Sequence, residues 1–528
     1  MRHPVCRHGG SAIVVAVACW AATAGAQDLA GDGTLVLRPE DCSRLAAVNG
    51  LSVRAAEHFL KSQRRGIDIA RAGRYPTVSL SGTITRQAPT ISLGPGISFP
   101  DESKELHAIV GQPLFDGGLT RLNETIARID TQMASYDLRR ARGIAALLAQ
   151  EAAYEVLRAQ EALGVTLYAL TSLTEHLRVA SDRFTEGHVA YFDVVSAETQ
   201  VAAAKQQLTS AEARVERAEV DLKTLLDLDL DREIQVESGR TPRAPDMDVE
   251  DMAKIGLCMR ADFDSARKAV ERAAAESYYP LTADLPRFDL FADYRRGTAF
   301  FSLPKDQVTY GIQGSISVFD GRQGHHERRW YRERLEAAKL QAEQQADLVV
   351  QQIAKAYIAT QEQQEIIDSA RVAEIGAQWQ LRISAMRYEN DIATGQEVLD
   401  SQAALELAQA AVVDAEHEYN LAVMRLQLAM GVIASLPVGT ADWGQGLKCY
   451  VYDCRGEGRA AMWAEEGKVR VRLATGGKLL RLRPLDKPER KLKGAATFSL
   501  SEDPVRLISP GVDGAQLLAL LQSAKIER

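Results

Sequence analysis

The chain has 528 residues, of which 46% are hydrophobic and 25% charged, and its 63 Lys and Arg against 71 Asp and Glu give a formal net charge of −8. This composition excludes a collagen-like, a disulfide-dense and a wholly disordered protein. Because the balance is acidic and the basic residues are scattered, nucleic acid is not expected as a partner.

The first residues predict export. Two arginines and no acidic residue precede an apolar run at residues 12–24, and Ala24-Gly25-Ala26 supplies the small residues that a signal peptidase requires. We therefore expect residues 1–26 to be a signal peptide. Cys19 raises a lipid anchor as an alternative, but the residues that precede it fit a lipoprotein signal poorly. No later segment reaches the roughly 18–20 apolar residues of a membrane-crossing helix, so a mature chain in a membrane would have to use strands.

Four cysteines remain after processing, namely Cys42, Cys258, Cys449 and Cys454. An oxidising periplasm permits disulfides, and four cysteines allow three pairings. Cys449 and Cys454 are the nearest neighbours and form the candidate disulfide, while unpaired buried thiols are an equal alternative.

The body of the chain repeats itself at a separation of 204 residues. The recurring landmarks are Tyr75-Pro76 and Tyr279-Pro280, Phe115-Asp116-Gly117 and Phe319-Asp320-Gly321, Arg183-Phe184 and Arg387-Tyr388, and Asp193-Val194-Val195 and Glu397-Val398-Leu399. Four landmarks in one register predict a tandem duplication. We expect residues 27–245 and 246–434 to be the two copies, each with a helix, a strand pair and long helices.

Residues 118–229 and 322–432 are predicted to form the long helices. Both segments lack proline and are rich in Ala, Leu, Glu, Gln and Arg. A helix of about 67 residues is a rod of roughly 100 Å. Apolar residues at three- and four-residue spacing, together with frequent alanine, favour close packing in a coiled-coil-like layer.

Residues 76–114 and 283–319 are each predicted to form a strand pair. Apolar and polar side chains alternate in both: Val78, Leu80 and Ile84 in the first, and Tyr310, Ile312, Ile316 and Val318 in the second. Such alternation, with an apolar outside and a polar inside, is typical of a transmembrane barrel, while a soluble sheet with one wet face is the alternative. Four strands cannot close a barrel, so three copies with twelve strands are expected.

Taken together and in their order along the chain, these motifs resemble those of the TolC-like outer-membrane factors of efflux pumps and type I secretion systems. The resemblance covers roughly residues 41–432. Its motifs are Gln112-Pro113-Leu114-Phe115-Asp116-Gly117-Gly118 with its repeat at Phe319 and Gly321, Arg183-Phe184-Thr185-Glu186-Gly187, Asp193-Val194-Val195, Arg260-Ala261-Asp262-Phe263, and Tyr388 with Glu397-Val398-Leu399-Asp400. The resemblance assigns Pro113, Phe115, Gly117, Gly118, Phe319 and Gly321 to sharp strand-to-helix corners.

The resemblance implies an α+β membrane protein that forms a homotrimer. A twelve-stranded β-barrel in the outer membrane would continue into an α-helical coiled-coil barrel across the periplasm. This channel would conduct substrates passively from an inner-membrane transporter through a periplasmic adaptor protein, without a cofactor, a metal or catalysis. A soluble periplasmic coiled-coil adaptor or scaffold with a saccharide-binding tail is the alternative.

The resemblance also implies a gate at the periplasmic end of the helices. Glu397 and Asp400 match a ring of carboxylates, and their i, i+3 spacing places them on one helix face. Six such charges in a trimer would favour cations. Asp193 and Tyr388 match residues whose hydrogen bonding keeps the tunnel closed. An ordinary solvated helix face is the alternative, and Asp227 departs from the family by replacing a glycine at the end of the first half.

Residues 435–528 are predicted to form a small all-β periplasmic domain of the sandwich type, because short alternating segments follow one another there. This tail weakly resembles the β-sandwich that often follows the catalytic barrel of glycoside hydrolases. No pair of carboxylates for glycoside hydrolysis is evident, so an enzyme is not expected. Its aromatic residues, including Tyr450 and Trp463, are expected in a core rather than against a sugar.

Overall fold

The computed structural model describes the chain from Thr34 to Glu527, apart from short internal gaps. The described residues are 34–86, 92–94, 97–98, 102–239, 242–297, 306–390, 392–432, 436–440, 447–454, 457–464, 469–474, 480–484, 490–492, 495–500, 504–509, 514–522 and 524–527. The predicted signal peptide and Cys19 lie outside the described residues.

The first half of the chain is dominated by one helix of 67 residues. Its elements are β1 (Leu35–Leu37), α1 (Pro39–Asn49), α2 (Leu51–Ala72), β2 (Thr77–Arg86), β3 (Ser92–Gly94), β4 (Ile97–Ser98), β5 (Glu102–Phe115), α3 (Leu119–Thr185), α4 (Tyr191–Leu226) and β6 (Ile234–Val236). Helix α3 is about 100 Å long, since no proline interrupts its hydrogen-bond ladder. β1 pairs in parallel with β6, with Leu35 opposite Ile234.

The second half has the same order of main elements. They are α5 (Val249–Met259), α6 (Ala261–Glu276), α7 (Tyr279–Ala283), β7 (Arg287–Gly297), β8 (Asp306–Ser315), α8 (Gln323–Glu389) and α9 (Gly395–Ala429). Helix α8 also has 67 residues and begins 204 positions after α3. Helices α4 and α9 have 36 and 35 residues. Both long helix pairs expected from the sequence are therefore present.

Helix α3 lies in the middle of the helical body, where it contacts α4, α9, α2 and α6. Its buried residues include Ala146, Ala149, Ala153 and Val156, whose small side chains let neighbouring helices approach closely. Helix α8 packs mainly against α9 and leaves several large apolar side chains exposed. These exposed residues include Trp330, Ile358, Val372 and Trp379. Such a surface is typical of a subunit that associates with another chain.

The four main strands form one antiparallel sheet in the order β2-β5-β7-β8. Residues that pair directly share a face, and the register puts Leu80, Ala108, Tyr294 and Val308 in one row across the sheet. This face is apolar and open: Leu80 is 71% and Tyr310 81% exposed. The opposite face is mainly polar. It carries Thr77, Ser79, Ser81, Thr83, His107, Asp293 and Thr309.

Strands β2 and β8 are the edges of this sheet, and each has one paired neighbour among the described residues. Strand β8 ends at Ser315, so the expectation that Ile316 and Val318 continue it is wrong. Both side chains are exposed in the segment that leads to α8. No helix in the described part of the chain has the length and hydropathy needed to cross a bilayer.

The C-terminal unit comprises the elements from Leu436 onwards. They are β9 (Leu436–Thr440), β10 (Leu447–Cys454), β11 (Glu457–Ala464), β12 (Val469–Ala474), β13 (Leu480–Pro484), β14 (Arg490–Leu492), β15 (Ala495–Leu500), β16 (Val505–Ser509), α10 (Gly514–Gln522) and β17 (Lys525–Glu527). They form a six-stranded sheet, β14-β13-β16-β11-β10-β9, and a three-stranded sheet, β15-β12-β17. Their shared core contains Val451, Val471, Leu500 and Leu507.

The expectation that this unit is all-β is corrected by helix α10. Its sequence, GAQLLALLQ, consists largely of strong helix formers. Leu517 and Leu521, one helical turn apart, are fully buried in the core of the unit. The helix therefore takes part in the core, where it contacts β9, β10 and β11.

The predicted disulfide between Cys449 and Cys454 is also wrong. Both residues lie on β10, which pairs with β11 without interruption from Leu447 to Cys454. Five residues of extended strand separate the two Cα atoms by about 16 Å, whereas a disulfide requires less than about 7 Å.

The C-terminal unit is joined to the helical body by a mixed apolar and ionic contact. Ala461 and Trp463 of β11 belong to a buried cluster with Ile255 of α5 and Ile353 of α8. Trp463 is fully buried and stacks on Tyr450, with ring centroids 5.5 Å apart. The expected core role of these two aromatic residues is therefore confirmed, and the core includes helices of the body.

A buried ion pair lies beside this cluster. Arg506 of β16 donates to the Asp264 carboxylate at 2.7 Å and to the carbonyl oxygen of Cys258. Arg139 of α3 donates to the same Asp264 oxygen at 3.1 Å. Arg506 and Asp264 are each only 2% exposed, so one carboxylate links two guanidinium groups from distant parts of the chain.

Candidate functional sites

The tip of the helical body is formed by the turn between α3 and α4 and the turn between α8 and α9. Gly187 has φ of +80°, which allows the chain to reverse after α3. In the second turn, the Thr394 hydroxyl caps α9 by accepting from the backbone N–H of Glu397. Arg183 of the first hairpin contacts Tyr388 of the second, so the two turns lie at the same end of the body.

Glu397 and Asp400 lie one turn apart on the outer side of α9, while Val398 and Leu399 between them are buried. The two carboxylates thus share the face that the i, i+3 spacing predicts. Glu397 accepts from Arg387 at 2.7 Å, and Asp400 accepts from Gln396 at 2.7 Å. The sequence motif gave no sign that Arg387 offsets part of the charge of Glu397.

Asp193 and Tyr388 are brought together but are not hydrogen bonded through the tyrosine hydroxyl. A Cβ atom on Gly395 would lie 3.7 Å from Asp193 Cγ and 3.7 Å from Tyr388 Cε2, so both side chains flank this glycine. Tyr388 Oη is buried, and no residue in the described part of the chain is its partner. Within the described part of the chain, the Tyr388 hydroxyl therefore forms no hydrogen bond, and a role of Asp193 and Tyr388 in closing the tunnel stays a prediction.

Arg183 links the two hairpins through Tyr388. Its guanidinium carbon lies 4.7 Å from the centroid of the Tyr388 ring, and Nη1 donates to the Tyr388 carbonyl oxygen. The arrangement combines a cation–π contact with a hydrogen bond between the two hairpins. The repeated pair Arg183-Phe184 and Arg387-Tyr388 marked both arginines in the sequence, but the partner of Arg183 lies in the other half of the chain, 205 residues away.

His176 completes the buried part of the tip. Its ring centroid lies 5.4 Å from that of Tyr388. Burial lowers the pKa of His176 below its usual value, although the Asp193 carboxylate opposes this change. Burial also raises the pKa of Tyr388. At neutral pH, His176 and Tyr388 are therefore uncharged.

The first strand-to-helix corner contains two residues in the left-handed region. Gly117 has φ of +70° and Gly118 of +87°. A Cβ on Gly117 would lie 2.5 Å from the carbonyl oxygen of Thr282, so only glycine fits this close approach of two backbone segments. Phe115 ends β5, and the pairing with β7 shifts register between Pro113 and Phe115, which accommodates a residue that lacks an N–H.

The second corner repeats this backbone path with a different sequence. Gly321 has φ of +69°, and Arg322, in the position of the second glycine, has φ of +70°. Nothing lies within 4 Å of a Cβ on Gly321, so this corner is more open than the first. Phe319 is 82% exposed. The expected corner residues therefore lie at two turns of the same shape.

An aspartate in each corner satisfies the first N–H groups of the following helix. Asp116 accepts from Gly118 N at 2.9 Å and from Thr120 N at 2.7 Å. Asp320 accepts from Arg322 N at 2.9 Å and from Gly324 N at 2.6 Å. Both residues stand in the repeated motif, but their capping role was not predicted.

These hydrogen bonds change the acidity of both carboxyl groups. Partial burial alone would raise the pKa of Asp116, but the hydrogen bonds from Thr120 and Gly118 outweigh it and hold the pKa below its usual value. The backbone N–H of Gly324 is the main cause of the lowered pKa of Asp320. Both groups are therefore ionised caps at neutral pH.

The fold is similar to that of solved outer-membrane channels. The outer membrane protein VceC from Vibrio cholerae is 20% identical, with a TM-score of 0.60 over 74% of this chain and 96% of VceC. The Campylobacter jejuni CmeC outer membrane channel is 16% identical, with a TM-score of 0.62 over 74% of this chain and 85% of CmeC. These similarities show that the chain shares the fold of these proteins.

A family model for outer membrane efflux proteins matches residues 43–227 and 255–432. The chain therefore belongs to the outer membrane efflux protein family, as the motifs predicted, and the expected outer-membrane location is confirmed. The outer membrane protein OprJ of Pseudomonas aeruginosa is 33% identical over 146 residues. That alignment spans 26% of this chain and 29% of OprJ.

Proposed function

We propose that three copies of this chain form a channel that carries substrates from the periplasmic side across the outer membrane. Each copy contributes its four-stranded sheet to a twelve-stranded β-barrel and its four long helices to an α-helical coiled-coil barrel. The observation that carries the proposal is the sheet β2-β5-β7-β8, which has an open apolar face, a polar face and two edges available for pairing. Lipid would cover the apolar face, and neighbouring copies would pair the edges.

The helical body supports the same assembly. The exposed apolar side chains of α8, such as Ile358 and Trp379, would be covered by a neighbouring chain. The two halves, residues 27–245 and 246–434, would be tandem copies that alternate around the tunnel. The equal lengths of α3 and α8 support this duplication, since alternating walls of one cylinder need equal heights.

The partners proposed are a periplasmic adaptor protein and an inner-membrane transporter, with outer-membrane lipid around the barrel. Efflux is the role that family membership supports, and type I secretion of protein is the second role that this architecture would serve. Catalysis is not part of the proposal. The C-terminal unit, residues 435–528, would lie in the periplasm beside the middle of the helical body, because its contacts are with α5, α6 and α8.

The tip would be the gate. Glu397 and Asp400 would face the axis as a ring of carboxylates that favours cations. Asp193, Tyr388 and Arg183 would hold the two hairpins together within each copy. The support for this placement is the shared face of the two carboxylates and the contact of Arg183 with Tyr388 across the hairpins.

The test of the channel combines mass and conductance. The mature protein, purified in detergent, is expected to have a mass three times that of one chain and to open ion channels in planar bilayers. A monomer that stays soluble without detergent and gives no conductance would contradict the proposal. That result would favour a periplasmic coiled-coil scaffold with a saccharide-binding tail.

The test of the gate uses the double variant Glu397→Gln, Asp400→Asn. Its cation selectivity is expected to fall, because the ring loses its charge. Glu418→Gln, on the same helix and about five turns from Asp400, is the matched control and is expected to keep the wild-type selectivity. Equal cation selectivity in wild type, the double variant and Glu418→Gln would show that Glu397 and Asp400 do not set the selectivity.

A further inference from the structure

A cavity of about 690 Å³ lies where the helical body meets the C-terminal unit. Its walls come from α3, the junction of α5 and α6, α8, α9 and β11. This volume is in the range of sites for small molecules. The cavity is separate from the tip and from the strand-to-helix corners, and neither the fold nor the proposed channel function assigns a role to it.

The lining of this cavity is strongly basic. Six arginines line it, whereas Asp262 is the one acidic residue among the lining residues. The six are Arg139, Arg140, Arg142, Arg260, Arg425 and Arg459. We call this space the arginine cavity. Carboxylates outside the lining offset part of the charge, since Arg139 pairs with Asp264, Arg142 with Glu57 and Arg425 with Glu151.

Two of the arginines retain unused hydrogen-bonding capacity. Arg140 is exposed and forms no hydrogen bond with the described part of the chain, although its charge favours the ionised forms of Asp137 and Asp262. Arg142 Nε is buried and has no hydrogen-bond partner there, although Nη2 of the same side chain pairs with Glu57. A buried donor without an acceptor is unfavourable, so a ligand that accepts from it would be stabilised.

The pKa of one lining residue reflects its burial and its charged neighbours. Burial and the neighbouring Arg506 lower the pKa of Arg139 to about 10; Asp264 opposes this change, and Arg459 adds to it. Arginine otherwise remains protonated well above this pH. Burial is the main cause of this lowered pKa, so the Arg139 guanidinium is poorly hydrated and lies beside other positive groups, where a bound anion would stabilise it.

We propose that the arginine cavity binds a soluble small molecule carrying several phosphate or carboxylate oxygens. Guanidinium groups recognise both oxygen sets by paired, charge-assisted hydrogen bonds. Arg140 and Arg142 bind the anion directly, and Arg425 contributes from the facing helix. A lipid headgroup is too distant if the sheet spans the membrane, because Arg140 lies about 32 Å along α3 from the corner at Leu119. The bound anion therefore bridges arginines of α3 and α9, next to the contact between the helical body and the C-terminal unit.

The test is isothermal titration calorimetry of the purified, detergent-solubilised protein with inorganic pyrophosphate and with citrate. Saturable binding of at least one of them is expected, at one molecule per chain and in excess of a sodium chloride control of equal ionic strength. Pyrophosphate alone identifies a phosphate site, and citrate alone identifies a carboxylate site. No saturable heat with either anion would overturn the proposal.

Variants locate the binding. Arg140→Gln is expected to weaken binding about tenfold, the factor that corresponds to one charge-assisted hydrogen bond. Arg121→Gln is the matched control, because Arg121 is an exposed arginine near the start of the same helix, outside the cavity lining. Equal affinity in Arg140→Gln and wild type would overturn the assignment. Both substitutions remove exposed side chains, so folding is expected to be retained.

A neighbouring copy of the chain could instead supply carboxylates to the cavity. In that case Arg140→Gln would lower the stability of the trimer without any anion binding to wild type, and the proposal would be overturned. The calorimetric readout does not depend on conductance. A soluble monomer that gives no conductance but still binds pyrophosphate would therefore contradict the proposed channel function alone.

Discussion

Gly117 and Gly321 occupy equivalent corners with almost the same φ, but their surroundings differ. Alanine at either position must adopt a left-handed backbone conformation, which lowers the free energy of unfolding by about 1 kcal/mol. Gly117→Ala must also move the Thr282 carbonyl, which would lie 2.5 Å from the new Cβ. We expect Gly117→Ala to lower the thermal unfolding temperature clearly more than Gly321→Ala, as measured by circular dichroism. Equal losses would show that the close approach at Gly117 relaxes without cost.

The caps Asp116 and Asp320 make part of the stability dependent on pH. Their pKa values are lowered by folding, so each stabilises the native state above the pKa of the unfolded chain, near 4. This contribution is lost as the pH falls through the lower, folded-state pKa. Asp116→Ala is expected to cost about 1 kcal/mol at pH 7. Thermal unfolding at pH 7 and pH 3 should show the difference from wild type narrowing at the lower pH, whereas a constant difference would exclude the ionised cap.

The contacts at the tip separate the roles of Tyr388 and Arg183. Tyr388→Phe removes a buried hydroxyl that has no partner in the described part of the chain, so the tip is expected to stay closed. Arg183→Ala removes both the contact with the Tyr388 ring and a hydrogen bond between the hairpins. We expect conductance to increase in Arg183→Ala and to stay at the wild-type level in Tyr388→Phe. A conductance that increases in Tyr388→Phe but not in Arg183→Ala would show that the tyrosine hydroxyl keeps the tip closed.

Local patterns in the sequence predicted local features of the fold but not contacts across it. The 204-residue register identified Gly117 and Gly321, because their backbone role depends on adjacent residues. The contact of Arg183 with Tyr388 joins residues 205 positions apart, and the Asp264 cluster joins three separate elements. No spacing along the chain encodes such contacts. Helix α10 did have a local signal in its leucines and alanines, but its position among short strands led to an all-β expectation.

The alternating strands make a prediction about the two faces of the sheet. Leu80 and Ser81 are neighbours in β2, and their direct partners on β5 are Ala108 and His107. Leu80→Arg places a charge on the face assigned to lipid and is expected to cost about 2–4 kcal/mol near the middle of the bilayer. Ser81→Arg adds the same side chain to the polar face and is expected to be tolerated.

The measurement is the yield of folded trimer after transfer from urea into lipid vesicles. Leu80→Arg is expected to fold poorly, whereas Ser81→Arg is expected to fold as wild type does. Ser81→Arg should also reduce the cation selectivity of the open channel, because its charge would lie in the lumen. Equal folding of both variants would show that neither face contacts lipid.

At the scale of the whole molecule, the docking of the C-terminal unit depends on Asp264. Asp264→Asn leaves Arg139 and Arg506 without their shared carboxylate, and loss of one partner from a buried ion pair costs about 3–5 kcal/mol. Arg506→Met leaves Asp264 still paired with Arg139, so a smaller loss is expected. Limited proteolysis, read as release of the unit that begins at Leu436, should be fastest for Asp264→Asn. Equal rates in both variants and wild type would show that the apolar contact of Trp463 is sufficient.

The pairing of β1 with β6 has a consequence for the order of events during biogenesis. Leu35 meets Ile234 only after about 200 further residues have crossed the inner membrane, and β5 meets β7 later still. Closing such long loops is slow, since their entropy must be lost before the contacts form. The long helices can form meanwhile, because their backbone hydrogen bonds join residues four positions apart. We therefore expect the exported chain to pass first through helical rods with unpaired strands, a state in which periplasmic chaperones would be needed most.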